Sequence, residues 1–267
     1  MMSNFFKFFL IAFVWVRIVF GFSTFILANV VAIVGSALLY VLLFFAPSLR
    51  SKTISKLIYV LCNIELHKIP YWLGGYDLFI DKQNADFSKP AIYVCNHISL
   101  FDPLIILGTI QNLGVLVKEK YTAIPAIWVL AKLFDFITIR SDDTESLSEI
   151  LTNVSNSVKR GRSMLIFPEG RRAKVGRVID FKRSAFKLAK DLNVRVVPIA
   201  IYSPRPFLTK GKFDIKEKTY YKIKILEQLS PENFKSSKQL CDTAYIQISN
   251  AVADMRDKSQ EREQRYF

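Results

Sequence analysis

The segment from Ser23 to Ala46 carries no charged residue, and this limits how the chain folds more than any other feature. Its length matches the roughly 20 apolar residues that a helix needs to cross the hydrocarbon core of a bilayer. A cleavable signal peptide has a shorter apolar region and a small-residue cleavage site, and neither is present at a suitable place. The sequence therefore predicts a retained membrane helix rather than a buried core helix.

A second apolar run, Phe5 to Phe22, precedes this segment and contains Arg17. An arginine near the bilayer centre costs about 2.5 to 3.5 kcal/mol on insertion scales, so this run lies in the interface, pairs with its neighbour, or spans with Arg17 directed outward. A hinge at residues 21–24 would bring the flanking cations to the cytosolic face: Lys7, Arg50, Lys52 and Lys56. We predict an N-terminal hydrophobic helical hairpin over residues 1–50 as a membrane anchor, followed by one domain over residues 51–267.

After the anchor, apolar runs typical of strands alternate with amphipathic runs typical of helices. The predicted strands are Tyr76–Ile80, Ala91–Cys95, Gly114–Lys118, Phe136–Arg140, Met164–Phe167, Val194–Tyr202 and Tyr220–Leu226. The predicted helices are Ser51–Leu66, Pro103–Gln111, Pro125–Phe134, Asp143–Lys159, Arg183–Asp191 and Pro231–Met255. This alternation predicts an α/β fold in which a central, mostly parallel sheet is flanked by helices.

The net charge of +14 indicates an anionic partner, which is a nucleic acid, a phosphorylated metabolite or an anionic bilayer. The three cysteines, Cys62, Cys95 and Cys241, are too widely spaced to suggest a disulfide framework or a metal knuckle, which favours a reducing, intracellular environment. With only two histidines, His67 and His97, a zinc site would need mainly carboxylate ligands, so we predict no metal.

A polar stretch, Asn96 to Asp102, begins where the apolar run Ala91–Cys95 stops. A neutral imidazole such as that of His97 takes up a proton near physiological pH, and a carboxylate such as that of Asp102 orients it and stabilises the imidazolium. Asp102 also precedes Pro103 and an apolar run, which is typical of a helix N-cap. The pattern is therefore compatible with a general-base pair, with a helix start, or with both.

Other predicted strands also end in polar residues. Glu169, Gly170, Arg171 and Arg172 follow the buried strand Met164–Phe167, Lys118 ends another strand, and Arg140 ends a third. Guanidinium groups bind phosphate in a bidentate fashion, so the loop after Phe167 is a candidate anion site. The alternative is a solvated turn whose charges pair with each other.

Together these stretches resemble the glycerolipid acyltransferase family, whose best-known members are 1-acylglycerol-3-phosphate acyltransferases. The Asn-His-x4-Asp block is present at Asn96 to Asp102, a strand ending in arginine follows at Phe136 to Arg140, and the block Phe-Pro-Glu-Gly-Arg-Arg at Phe167 to Arg172 resembles the family's Phe-Pro-Glu-Gly-Thr-Arg. A valine-proline block follows at Val197 to Ile201. The chain departs from the family pattern at Arg171, Ser184 and Ile139, where threonine, glycine and an acidic residue are usual.

The resemblance implies that His97 is the general base and that Asp102 orients it, while the substrate supplies the nucleophilic hydroxyl. It implies acyl-CoA or acyl carrier protein as the acyl donor, 1-acylglycerol-3-phosphate as the acceptor, and no cofactor. The acceptor-binding residues that it implies are Glu169, Gly170 and Arg172, with Arg140 and Lys118 as further cationic candidates and Arg171 as an addition peculiar to this chain. We expect a membrane enzyme, on the inner or another intracellular membrane, with its catalytic domain facing the cytosol and no nucleic-acid partner. The alternatives are a different lysophospholipid or lipid acceptor, or a non-catalytic lipid-binding protein on the same fold.

Overall fold

The computed structural model describes residues 76–82, 85–123, 136–139, 144–206 and 219–264, together with isolated positions between 23 and 64, at 131 and at 209. The strands in chain order are β1 (Tyr76–Asp81), β2 (Ile92–Cys95), β3 (Leu113–Lys118), β4 (Ile137–Ile139), β5 (Ser163–Ile166), β6 (Val196–Tyr202) and β7 (Thr219–Ile225). The helices are α1 (Asp102–Leu107), α2 (Thr144–Lys159), α3 (Ser184–Asp191) and α4 (Ser237–Gln264).

All seven strands form one sheet in the order β1-β7-β6-β2-β5-β3-β4. Every pair is parallel except β6 with β7, which is antiparallel. The predicted α/β fold with a mostly parallel central sheet is therefore confirmed. The strand β2 lies at the centre, between β6 and β5, so the polar stretch that follows it leaves from the middle of the sheet.

Two apolar cores cover the two faces of the sheet. Along β2, Tyr93 and Cys95 point into the core that contains α1, whereas Ile92 and Val94 point into the core on the opposite face. That second core is closed by side chains from α2, α3 and α4, namely Val154, Phe186 and Ile248. Because both faces of β2 are covered, its four residues are all buried, as is usual for strands of a parallel sheet.

The chain before β1 packs on α1. A Cβ atom at Gly108 would lie 3.0 Å from the backbone carbon of Cys62, so a larger residue would push the two segments apart. The side-chain amide of Asn63 also donates a hydrogen bond of 3.1 Å to the carbonyl of Gly108. The described positions between 53 and 62 are helical, which agrees with the helix predicted over Ser51–Leu66.

The predicted helix Pro231–Met255 is wrong at both ends. A short 3-10 turn, Pro231–Asn233, is separate, and α4 runs from Ser237 to Gln264. The hydroxyl of Ser236 accepts a hydrogen bond from the amide of Gln239, and the side chain of Gln239 accepts one from the amide of Lys235. This reciprocal arrangement satisfies amides at the helix start, and it fixes the true beginning of α4 after Pro231.

The predicted N-terminal hairpin lies mostly outside the described residues, as does the predicted helix Pro125–Phe134. Within the described part of the chain, no helix combines the length and apolar character needed to cross a bilayer. The described positions of the uncharged segment are helical, and six of its apolar side chains are more than half exposed: Val30, Val31, Val34, Leu38, Val41 and Leu42.

Candidate active site

The polar stretch after β2 and the loop after β5 meet at the carboxyl-terminal end of the parallel strands. The two strands are parallel neighbours, with Val94 opposite Ile166, so their carboxyl ends leave the sheet side by side. His97 follows the first strand, and Phe167 to Arg172 follow the second. Open α/β sheets place their ligand sites at the carboxyl-terminal end of the strands, because the loops there face away from both helical layers.

His97 and Asp102 form a hydrogen-bonded pair. The distance from His97 Nδ1 to Asp102 Oδ2 is 2.8 Å, and the carboxylate is fully buried, whereas 16% of the histidine side chain is exposed. Because a carboxylate only accepts hydrogen bonds, Nδ1 carries the proton and the second ring nitrogen, Nε2, has a free lone pair. Nε2 of His97 is therefore the atom that can remove a proton from a substrate.

The side chain of Asp102 does not act as a helix cap, so this alternative prediction is wrong. Its Oδ2 atom accepts hydrogen bonds from the backbone amides of Ile98 at 2.7 Å and of Ser99 at 2.8 Å. These amides lie before the helix rather than in its first turn. The carboxylate is therefore directed back to the histidine, where its charge stabilises an imidazolium.

The ring of His97 stacks on the ring of Phe167, with centroids 4.2 Å apart and an interplanar angle of 29°. The carbonyl of His97 accepts a hydrogen bond of 2.7 Å from the amide of Ala173. The loop that follows β5 thus holds both the ring and the backbone of the histidine. A base fixed in this way loses little freedom when a substrate binds.

Asn96 connects the site to β6. Its side chain is fully buried, its amide donates a hydrogen bond of 2.9 Å to the carbonyl of Ile201, and its oxygen accepts one of 2.8 Å from the amide of Ile201. The side chain thus replaces the backbone pairing that β2 can no longer provide after it ends at Cys95. This contact keeps the start of the histidine stretch against the sheet.

Replacing Asn96 by alanine is expected to lower the free energy of unfolding by about 2 to 4 kcal/mol, because both backbone groups of Ile201 would lose buried partners. Urea unfolding followed by circular dichroism measures the change. Asn156→Ala, which alters an exposed asparagine in α2, is the matched control and is expected to change stability by less than about 1 kcal/mol. Equal stabilities for the two variants would contradict the prediction.

The loop after β5 leaves one of the predicted acceptor-binding residues exposed, a second half-buried and a third buried. Arg171 is exposed and Arg172 is half-buried, whereas Glu169 is only 4% exposed. Gly170 has a φ of +65°, which strains any residue with a side chain, and a Cβ atom there would lie 3.3 Å from Nζ of Lys182. Lys182 therefore lies across the loop as a further cation.

Lys182 was missed as a site residue by the sequence analysis. Its position beside Gly170 depends on a chain reversal between residues 170 and 182, in which the amide of Lys182 donates a hydrogen bond of 2.9 Å to the carbonyl of Pro168. The only signal in the sequence is its place two residues before Ser184, a position at which the chain departs from the family pattern.

The other two predicted binding residues follow strands farther along the sheet. Lys118 ends β3, two strands from β2, which corresponds to about 10 Å at the usual strand spacing. The side chain of Lys118 and the whole of Arg140 lie outside the described part of the structure, as does His67.

Burial raises the pKa of Glu169 to about 8 from 4.5, against the opposing influence of the backbone amides of His97 and Ile179. Both carboxyl oxygens are buried, and neither makes a hydrogen bond within the described part of the structure. The buried charge of Asp102 raises the pKa further, and Arg171 lowers it slightly. Glu169 is therefore mainly protonated at neutral pH.

Glu169→Gln is expected to be increasingly stabilising relative to the wild type as the pH rises from 5 to 8. In this range the unfolded state releases the proton of Glu169 while the folded state keeps it, so wild-type stability falls by up to about 1.4 kcal/mol per pH unit. Glutamine does not titrate. Urea unfolding of both proteins at several pH values measures the difference in stability, and a constant difference over this range would contradict the prediction.

The chain is similar to known acyltransferases in sequence and in fold. Residues 78–202 match the model of the acyltransferase family. A chloroplastic 1-acyl-sn-glycerol-3-phosphate acyltransferase from Brassica napus is 29% identical over 163 residues, which cover 61% of this chain and 46% of that protein. A 1-acyl-sn-glycerol-3-phosphate acyltransferase from Borreliella burgdorferi is 27% identical over 146 residues, covering 54% of this chain and 58% of that protein. The chain thus spans about half the length of these relatives.

The fold is also similar to a crystal structure, that of the 1-acyl-sn-glycerophosphate acyltransferase PlsC from Thermotoga maritima. The TM-score is 0.65 at 22% sequence identity, and the match covers 88% of this chain and 98% of the other. At this identity the likeness establishes the fold of the sheet and its helices.

Proposed function

Because residues 78–202 match the model of the acyltransferase family, we propose that the protein transfers a fatty acyl group from a thioester to the free hydroxyl of 1-acylglycerol-3-phosphate. The product is phosphatidic acid, a precursor of phospholipids. The observation that carries the proposal is the contact of 2.8 Å between His97 Nδ1 and the buried carboxylate of Asp102, which leaves Nε2 as a base.

In the proposed reaction, Nε2 of His97 removes the proton from the acceptor hydroxyl as its oxygen attacks the thioester carbonyl carbon. A carbon–oxygen bond forms and the carbonyl oxygen becomes an oxyanion. The tetrahedral intermediate then collapses, the carbon–sulfur bond breaks, and the imidazolium gives its proton to the leaving thiolate. Asp102 stabilises the imidazolium between these steps, and no acyl-enzyme is required because the acceptor is itself the nucleophile.

The acceptor phosphate would bind to the cations of the loop after β5. Arg171 and Arg172 offer planar forks that match phosphate oxygens, Gly170 lets the backbone approach closely, and Lys182 adds a point charge. Lys118 ends β3 and Arg140 follows β4 in the sequence, and both residues are proposed as additional contacts of the acceptor phosphate. The donor is proposed to be acyl-CoA or acyl carrier protein.

We also propose that the protein acts at an intracellular membrane with this site facing the cytosol. Support comes from the uncharged segment Ser23–Ala46 and from the six exposed apolar side chains at its described positions. The net charge of +14 would draw the protein to anionic lipids, at about 1 kcal/mol for each cation near the surface.

A panel of acceptors tests the function. Purified protein is incubated with acyl-CoA or acyl carrier protein and with lysophosphatidic acid, other lysophospholipids, an aminoacyl lipid or a glycolipid precursor, and the products are identified by mass. Formation of phosphatidic acid supports the proposal. Exclusive acylation of a different lipid would show that lysophosphatidic acid is not the acceptor. Arg171 and Ser184 motivate this alternative, because both residues depart from the family pattern and both are exposed.

The alternative to an enzymatic function is a non-catalytic role in lipid binding. Binding of lysophosphatidic acid without any acyl transfer, over all donors and acceptors of the panel, would support it. The intact pair of His97 and Asp102 favours catalysis, because a binding protein has no need of a buried carboxylate directed at a histidine.

A further inference from the structure

The aromatic ring of Phe167 covers one face of the His97 imidazole. The ring centroids are 4.2 Å apart and the two planes differ by 29°, so the rings are stacked rather than crossed. Phe167 is half-buried and packs against the core on the α1 face of the sheet. The phenylalanine ring therefore connects that core to the histidine.

The backbone that carries this ring has little freedom. The carbonyl of Phe167 accepts a hydrogen bond of 3.0 Å from the amide of Gly170, and the carbonyl of Pro168 accepts one of 2.9 Å from the amide of Lys182. A residue that precedes a proline is also restricted to extended conformations, because its backbone would otherwise contact the proline ring. The place of the Phe167 ring is thus set before any substrate binds.

The imidazole of His97 needs a contact of this kind. Asp102 holds it at one atom, through the distance of 2.8 Å between Oδ2 and Nδ1. A single hydrogen bond leaves the ring free to tilt about that atom, whereas a stacked ring on one face limits the tilt. The carboxylate and the phenylalanine together determine the direction of Nε2, and a general base must have this atom within hydrogen-bond reach of the proton that it removes.

The stack also acts on the charge that develops during the reaction. When His97 takes up the proton, the imidazolium lies over the face of the Phe167 ring, and a cation in this position is attracted by the electron-rich face. The neutral imidazole of the resting state gains less from the same contact. A contact that is stronger in the transition state than in the ground state raises kcat rather than substrate affinity.

We propose that Phe167 is a positioning residue for His97: it directs Nε2 toward the acceptor hydroxyl and stabilises the imidazolium. It acts through the histidine and does not need to touch the substrate. The inference rests on the proposed function, in which His97 is the base. A misplacement of about 1 Å can cost about 10²-fold in rate, so the loss of the stacked ring should reduce turnover even where the pair of His97 and Asp102 is intact.

Three variants separate the ring from its apolar bulk. Phe167→Leu keeps an apolar side chain in the core but removes the ring, and Phe167→Tyr keeps the ring. We expect Phe167→Leu to lower kcat by about 10- to 100-fold with little change in the KM for lysophosphatidic acid, and Phe167→Tyr to keep most of the activity. Phe234→Leu makes the same change at a half-buried phenylalanine of the core on the opposite face of the sheet, and it is expected to leave kcat within about a factor of three.

Equal losses of kcat in Phe167→Leu and Phe234→Leu would overturn the proposal, because the effect would then come from packing in general. A rise in acceptor KM with unchanged kcat in Phe167→Leu would also overturn it, because that pattern belongs to a substrate contact. Equal impairment of Phe167→Tyr and Phe167→Leu would show that an aromatic ring is not what the site requires, and the proposal would fail.

Proton nuclear magnetic resonance tests the positioning without any enzymatic assay. The proton on Nδ1 of His97 is held by the carboxylate of Asp102, and its signal is assigned by its loss in a His97→Gln variant. We expect Phe167→Leu to broaden this signal through faster exchange with water, and Phe167→Tyr and Phe234→Leu to leave it as in the wild type. An unchanged signal in Phe167→Leu overturns the positioning role. If the wild type transfers no acyl group over the whole acceptor panel but the signal broadens as expected, the proposed function fails while the positioning contact stands.

Discussion

Replacing His97 by alanine is expected to lower kcat for acyl transfer to lysophosphatidic acid by about 10³-fold, which corresponds to about 4 kcal/mol of activation free energy. Nδ1 of His97 is bound to Asp102, so Nε2 is the ring nitrogen that accepts the proton. Alanine has no such nitrogen, so the variant loses the proton acceptor. Initial rates of phosphatidic acid formation, measured with the thioester donor in excess, give the change.

The controls for this variant separate chemistry from folding. His97→Gln keeps a side chain that can donate to Asp102 but offers no basic nitrogen, so we expect it to be as inactive as His97→Ala. His67→Gln, at the only other histidine, is expected to retain activity, because the sequence gives that residue no partner of the Asn-His-x4-Asp type. Full activity in His97→Ala with an unchanged thermal unfolding temperature would refute the mechanism.

Asp102→Asn is expected to lower kcat by about 10²- to 10³-fold. The amide oxygen of asparagine can still accept hydrogen bonds from Ile98 and Ser99, so the stretch should stay folded. However, a neutral group stabilises the imidazolium less than a carboxylate does, so the histidine is a weaker base during the reaction.

The matched control for this change is Asp180→Asn, which removes an exposed carboxylate from the loop that follows β5. We expect it to leave kcat within about a factor of three of the wild type. An Asp102→Asn variant with wild-type kcat would show that the carboxylate has only a structural role.

The fold class was predictable from the sequence because most strands are short apolar runs that are followed by a polar break. Seven predicted strands agree with β1 to β7 to within two residues at each end, and the central run Ala91–Cys95 corresponds to β2. The end of the chain was harder to predict, since Pro231 is a good helix start and the true cap, Ser236, acts through a reciprocal contact with Gln239. Only local geometry distinguishes these two starts.

The sequence by itself determined the chemistry of the site: the spacing from His97 to Asp102 and the charges of Arg171 and Arg172 are properties of neighbouring residues in the chain. The tertiary structure decided where each of these groups points. It turned Asp102 away from its helix, and it placed Asn96 against Ile201, 105 residues later. It also buried Glu169 behind the histidine, although this residue lies in the same charged loop as the exposed Arg171. The physical reason is that a side chain's burial and hydrogen-bond partners come from strands that are adjacent in the sheet but distant in sequence, and spacing along the chain carries no record of them.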